Sequence, residues 1–204
     1  MSLEDTYKTI KSPAEGLFKD RGSKFFAFAY HIEHESEVKE LVDNLRKEHF
    51  KAVHYCYAFR LGLDKNNFRV NDDGEPSGSA GKPILNTLLS HEITNVLVVV
   101  VRYFGGTLLG VPGLINAYKS ATAEALALAD IVEKTVNDVY IVSFEFIQMN
   151  DIMKIVKEFN LKIRNQTYDN QCVIELEFRK KLTNQVVGKL EKIDNIIIEY
   201  LFTV

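Results

Sequence analysis

The chain has 204 residues, 46% of them apolar and 26% charged, enough to bury one large hydrophobic core or two small ones. Its formal charge is −3, with 15 Lys and Arg against 17 Asp and Glu up to Asp130 and 10 against 11 beyond; this excludes an indiscriminate nucleic-acid coat and leaves room only for a local anion site. The two cysteines, Cys56 and Cys172, have no Cys-x-x-Cys spacing, which excludes a disulfide framework and fits a reducing cytoplasm.

No membrane span is expected, because the apolar run Val96 to Val101 is cut by Arg102 well short of about 18 residues. No secretory leader is expected either, and Met1-Ser2-Leu3 is given no structural role. Lys24 to Ile32 reads as a strand, and Ser36 to Phe50 carries Val38, Leu41, Val42 and Leu45 at helical spacing. Val53 to Leu61 has strand composition, Asn71 to Ala80 is a polar loop, and Pro83 to about His91 reads as a short helix opened by proline. Asn95 to Tyr103 is a β-branched strand, followed by a second glycine-rich loop and an alanine-rich helix from Leu114 to Ala129.

Beyond Asp130 glycine nearly vanishes. The order becomes strand (Val136 to Phe146), helix (Asp151 to Phe159), strands (Lys162 to Tyr168 and Cys172 to Phe178), helix (Thr183 to Lys192) and strand (Ile196 to Phe202). That is the β-α-β-β-α-β order of a ferredoxin-like unit, so the chain is read as α+β with domains 1–132 and 133–204.

Seven of the eleven glycines and three of the four prolines lie in two loops, Asn71 to Pro83 and Arg102 to Gly113. Glycine permits close backbone approach and positive φ, and proline fixes φ, so these loops mark a built site. Gly81-Lys82 does not complete a phosphate loop, since Pro76 stands where the first glycine is needed and Pro83 where Ser or Thr is needed. A more general anion site remains, with N–H groups at a helix start beside Lys82; in the competing reading Ser77 and Ser79 only brace the turn.

Asp72, Asp73 and Glu75 could ligate a metal or act as acid and base, but a solvated or ion-paired run is the commoner outcome, and no EF-hand pattern is completed. His54 and Cys56 share a strand face, with His49 upstream; zinc would need further ligands, so packing beneath the loops is the preferred reading. Arg102, beside Tyr103 and Phe104, emerges at a strand end suited to a phosphate, or else pairs with Asp72, Asp73 or Glu75. No metal, cofactor or catalytic set is expected.

Asp72 to Pro83 and Arg102 to Gly106 resemble the signature of the YigZ/IMPACT family, and His54 and Cys56 fit its His-Asn-Cys strand with Tyr55 in the middle. The second loop departs from the family pattern, with Leu108 in place of a lysine, Pro112 in place of a glycine and Asn116 in place of an arginine. The resemblance, to the bacterial two-domain members, implies a first domain like the second domain of ribosomal protein S5. It implies a ferredoxin-like second domain like the last domain of elongation factor G, and a role linked to translation.

The functional expectation is a cytoplasmic, non-catalytic regulatory protein that contacts nucleic acid or a ribosome-associated partner. Its cleft would be formed by Asp72, Asp73, Glu75, Ser77, Gly78, Ser79, Gly81, Lys82, Arg102, Gly105, Gly106 and Lys119, supported by His54 and Cys56. An enzyme acting on a small phosphorylated or acidic metabolite, with Asp73 or Glu75 as base, is the second reading; a protein-interaction module is the third.

Overall fold

A computed structural model describes residues 5–63, 66–168 and 171–204, so Met1-Ser2-Leu3 lies outside the described residues. The chain divides into two compact units, Lys8–Glu133 and Met1–Tyr7 with Lys134–Val204. The architecture is mixed α/β, with five α-helices among the described residues.

In the first unit a five-stranded antiparallel sheet has the order β2 (Ala14–Asp20), β3 (Ser23–His31), β6 (Val96–Tyr103), β4 (His54–Leu61), β5 (Asn67–Asn71). The central strand β6 is sandwiched. Leu97, Val99 and Val101 pack with Val38, Val42 and Leu45 of α1 (Ser36–Glu48), on one face. Val96, Val98 and Val100 pack with residues of α2 (Gly81–Ser90) and α3 (Gly110–Leu128) on the other. Burial on both faces explains why β6 reads as an unbroken apolar run rather than an alternation.

Two strands of this sheet are absent from the sequence reading. In β2, Gly16 replaces an apolar core residue because α3 passes so close that a Cβ there would stand 2.3 Å from the Ala125 nitrogen. In β5 the residues Asn67 to Val70 are exposed, so this edge strand lacks a buried apolar stripe. Two more short strands, β1 (Thr6–Ile10) and β7 (Ile131–Thr135), form a two-stranded sheet.

Both loop-following helices begin before the expected residues, α2 at Gly81 and α3 at Gly110. Pro83 and Pro112 therefore lie inside the first turn, where a missing N–H costs nothing because no carbonyl precedes it.

The second unit runs β8 (Asn137–Phe144), α4 (Met149–Glu158), β9 (Lys162–Tyr168), β10 (Cys172–Arg179), α5 (Thr183–Leu190), β11 (Ile197–Thr203). Its antiparallel sheet has the order β11-β8-β10-β9. Alternate residues Cys172, Ile174, Leu176 and Phe178 of β10 are buried with Ile152, Ile155 and Val156 of α4 and Val186 and Leu190 of α5. The intervening Val173, Glu175, Glu177 and Arg179 are half-buried. Glu177 is ion-paired with both Lys162 and Arg164.

Candidate functional site

The two glycine loops are held by carboxylates that face inward. Asp72, just beyond β5, accepts hydrogen bonds from the backbone N–H groups of Gly78 (2.8 Å), Ala80 (3.1 Å) and Gly81 (2.8 Å). These are the donors that the start of α2 would otherwise offer to an external anion, so an internal carboxylate occupies that position. Asp73 has φ 43°, supported by a hydrogen bond from its own N–H to Asn71 Oδ1. Its carboxylate receives Arg46 of α1 at 2.7 Å and the Tyr55 N–H of β4 at 2.7 Å.

Glu75 is only 8% exposed and Arg102 only 5%. Arg102 donates to Glu75 Oε1 at 2.5 Å, and the Tyr118 hydroxyl of α3 donates to the same oxygen at 2.8 Å. Arg102 also lies near the rings of Phe25 and Phe104, 5.5 Å and 5.7 Å from their centroids. A buried charge pair of this kind costs desolvation, and the extra hydrogen bond from Tyr118 offsets part of that cost. It ties β6, the first loop and α3 together.

His54 completes the floor. Its Nδ1 lies 2.7 Å from the Asp73 carbonyl oxygen, which can only accept, so Nδ1 carries the proton. Nε2 is left facing Glu75 Oε1 at 3.9 Å. Cys56, buried on β4, has its sulfur 3.0 Å from the Asp72 carbonyl oxygen and 3.3 Å from the Tyr118 hydroxyl. Burial pushes the Cys56 thiol and the Tyr118 phenol well above their ordinary ranges, with the nearby Glu75 adding to both shifts. Neither is therefore a ready anionic nucleophile at neutral pH.

The predicted residues separate into two places. His54, Glu75 and Arg102 line an open cavity of about 430 Å³ whose walls are Val53, Pro76, Phe104, Leu108, Leu109, Val111 and Leu114, with Gly110 at the start of α3. Lys82 and Lys119 line another, of about 510 Å³, between α2 and α3, with Gly78, Pro83, Asn86, Thr87, Ser90 and Ile115. The Gly105 N–H is spent on Ser23 Oγ at 3.1 Å, and Gly105 must lack a side chain because a Cβ would stand 1.9 Å from the Gly22 carbonyl carbon. Gly106 has φ 86°. Ser77 is exposed, whereas Ser79 is buried with its hydroxyl unpartnered. Among the described residues no cluster of three or more His, Cys, Asp or Glu is arranged to hold a metal ion, and no helix is long and apolar enough to cross a membrane.

Tyr118, Arg46 and the apolar wall of Phe104, Leu108, Val111 and Leu114 were absent from the sequence-derived site. Tyr118 carried a weak signal, as a lone aromatic in an alanine-rich stretch. Arg46 carried none, since its partner is 27 residues distant.

The first unit is thus a sheet-and-helix platform that presents two internally braced glycine loops. Residues 21–126 match the Impact N-terminal domain, and the chain belongs to the IMPACT family. It is 31% identical to the IMPACT family member YvyE of Bacillus subtilis over 88% of this chain and 82% of that one. Against the IMPACT family member YigZ of Escherichia coli the identity is 32%, over 88% of this chain and 93% of that one. A crystal structure of a hypothetical protein, 27% identical, superposes over 98% of this chain and 99% of the other with a TM-score of 0.72.

Proposed function

We propose that this protein is a non-catalytic, translation-linked regulatory protein that binds a ribosome-associated partner through the loops of its first unit. The observation that carries the reading is the inward use of polar groups: Asp72 is spent on the N–H groups before and at α2, and Glu75 on Arg102 and Tyr118. Such bonds hold loops in one shape and leave no free acid, base and nucleophile set between them. The translation link comes from membership of the IMPACT family and the roles that family resemblance implies.

In this reading the first unit, Lys8–Glu133, forms an S5 domain 2-like domain. Residues 133–204 form a ferredoxin-like domain resembling the last domain of elongation factor G, supported by the element order β8-α4-β9-β10-α5-β11. Two free, buried cysteines support a reducing, cytoplasmic setting. Because Arg102 is neutralised by Glu75, phosphate contacts fall to Lys82 and Lys119 beside α2 and α3. Two cations predict a shallow salt dependence, a slope of roughly −1.4 to −1.8 in log affinity against log salt.

The test is salt-titrated sedimentation with ribosomes and with naked structured RNA, comparing the parent with Lys82→Ala/Lys119→Ala and with Leu108→Asp. Saturable ribosome binding that is reduced in either variant supports the reading. Absence of ribosome binding at low salt overturns it.

A further inference from the structure

We propose that one edge of the second unit's sheet is a self-association surface, on which β11 of one copy pairs antiparallel with β11 of a second copy. The proposal concerns the second unit alone and is independent of the loops in the first. The order β11-β8-β10-β9 leaves two edge strands, and the sequence treats them differently. β9 is guarded by Lys162 and Arg164 and is otherwise largely polar, which discourages pairing with another chain. β11 has one charge, Glu199, and neither lysine nor proline. Its Ile197, Tyr200, Leu201 and Phe202, with Val204 just beyond, are 39–54% exposed.

The backbone of this edge is open as well. Val204 and Asn137 exchange hydrogen bonds of 2.8 and 2.7 Å, so the Val204 backbone faces β8. By the alternation of an antiparallel ladder, the Thr203 N–H and C=O then face away from β8. Stepping by two along β8 from Asn137 reaches Ile141 and Ser143, whose partners are Glu199 and Ile197. Ile198, between those two, therefore also turns its N–H and C=O to the free edge. The register shift between Tyr200 and Phe202 interrupts the ladder that a second copy can add, so apolar side chains supply most of the association.

A second copy is the occupant that fits. A two-fold axis sets the same apolar strand opposite itself, and each copy satisfies the other's open N–H and C=O groups. In every two-fold register except one centred on Glu199 itself, that carboxylate faces an uncharged residue of β11, so like charges are not opposed. At about 200 Å² per large side chain, the five exposed residues present about 500 Å² of apolar surface per copy. Two copies thus offer about 1,000 Å², the lower limit for a specific interface, and a dissociation constant on the order of 10 µM is expected.

The test is sedimentation velocity of the full-length chain from about 1 to about 300 µM, spanning that constant. A reversible shift from monomer to dimer, with no larger species, is expected. Leu201→Lys, at an exposed edge position, should raise the dissociation constant at least about tenfold with an unchanged far-ultraviolet circular dichroism spectrum. Gln166→Lys, on the opposite edge strand β9, should leave it unchanged. Amide hydrogen exchange of the parent reads the edge without any substitution: the Ile198 and Thr203 amides should slow several-fold in the concentrated sample, while those of β9 keep their rates. A monomer at every concentration, growth beyond the dimer, a folded Leu201→Lys variant that still dimerises, equal loss in Gln166→Lys, or unchanged exchange at Ile198 and Thr203 would each overturn the proposal.

Discussion

Replacing Glu75 by alanine strips the buried Arg102 guanidinium of its carboxylate and the Tyr118 hydroxyl of its acceptor. Breaking a buried ion pair from one side costs about 3–5 kcal/mol, because the surviving charge stays in low dielectric. An orphaned buried hydroxyl adds about 1–3 kcal/mol, but both groups share one oxygen and the costs overlap, so about 4 kcal/mol is expected for Glu75→Ala. Arg102→Met in the same chain removes the stranded charge while keeping a long apolar stem against Phe25 and Phe104, and should recover about 2 kcal/mol. Native-state hydrogen exchange at the β6 amides of Val98 to Val100 reads the first unit separately from the second. A loss below about 1 kcal/mol for Glu75→Ala, or a double variant as unstable as the sum of the singles, would refute the argument that this pair braces the loops.

Asp72→Ala removes the acceptor of three N–H groups and should cost about 2 kcal/mol in urea unfolding, with Asp72→Asn recovering part of it because one amide oxygen still accepts. Alkaline pH should destabilise the protein from about pH 9 upward: burial raises the Cys56 and Tyr118 pKa values, the unfolded chain releases those protons first, and stability falls wherever the folded state binds more protons. Tyr118→Phe should lose about 1 kcal/mol at neutral pH yet show a shallower alkaline decline in its urea midpoint; a parent curve flat to about pH 11 would contradict the burial of both groups. Gly105→Ala places a methyl against the Gly22 backbone, which has no side chain to yield, so a loss of about 1–3 kcal/mol with displaced Gly22 and Gly106 amide signals is expected.

The helices, the central strands and the order of elements in the second unit are legible in the chain, because each carries a periodic apolar signal tied to burial on one or two faces. Val96 to Val101 and the alternation Cys172, Ile174, Leu176, Phe178 are the clearest cases. β2 and β5 were not legible: Gly16 sits where α3 leaves no room for a side chain, and β5 is an edge without a buried stripe. The glycine and proline clustering located the loops, since close approach and fixed φ depend on residue type alone.

The partners of those loops depend on distance in space rather than in sequence. Local chemistry offered Arg102 either an external phosphate or one of three carboxylates; packing of β6 against the first loop and α3 selected Glu75 and added Tyr118, 43 residues from it. In the same way Asp72 took the helix-terminal donors that composition alone left open to an anion, and Lys82 went to one cavity while Arg102 went to another. Residue type and spacing determined which groups could bond and where the backbone could turn. Only the tertiary structure decided which bonds were made, because side chains tens of residues apart compete for the same few buried positions and close packing admits one arrangement.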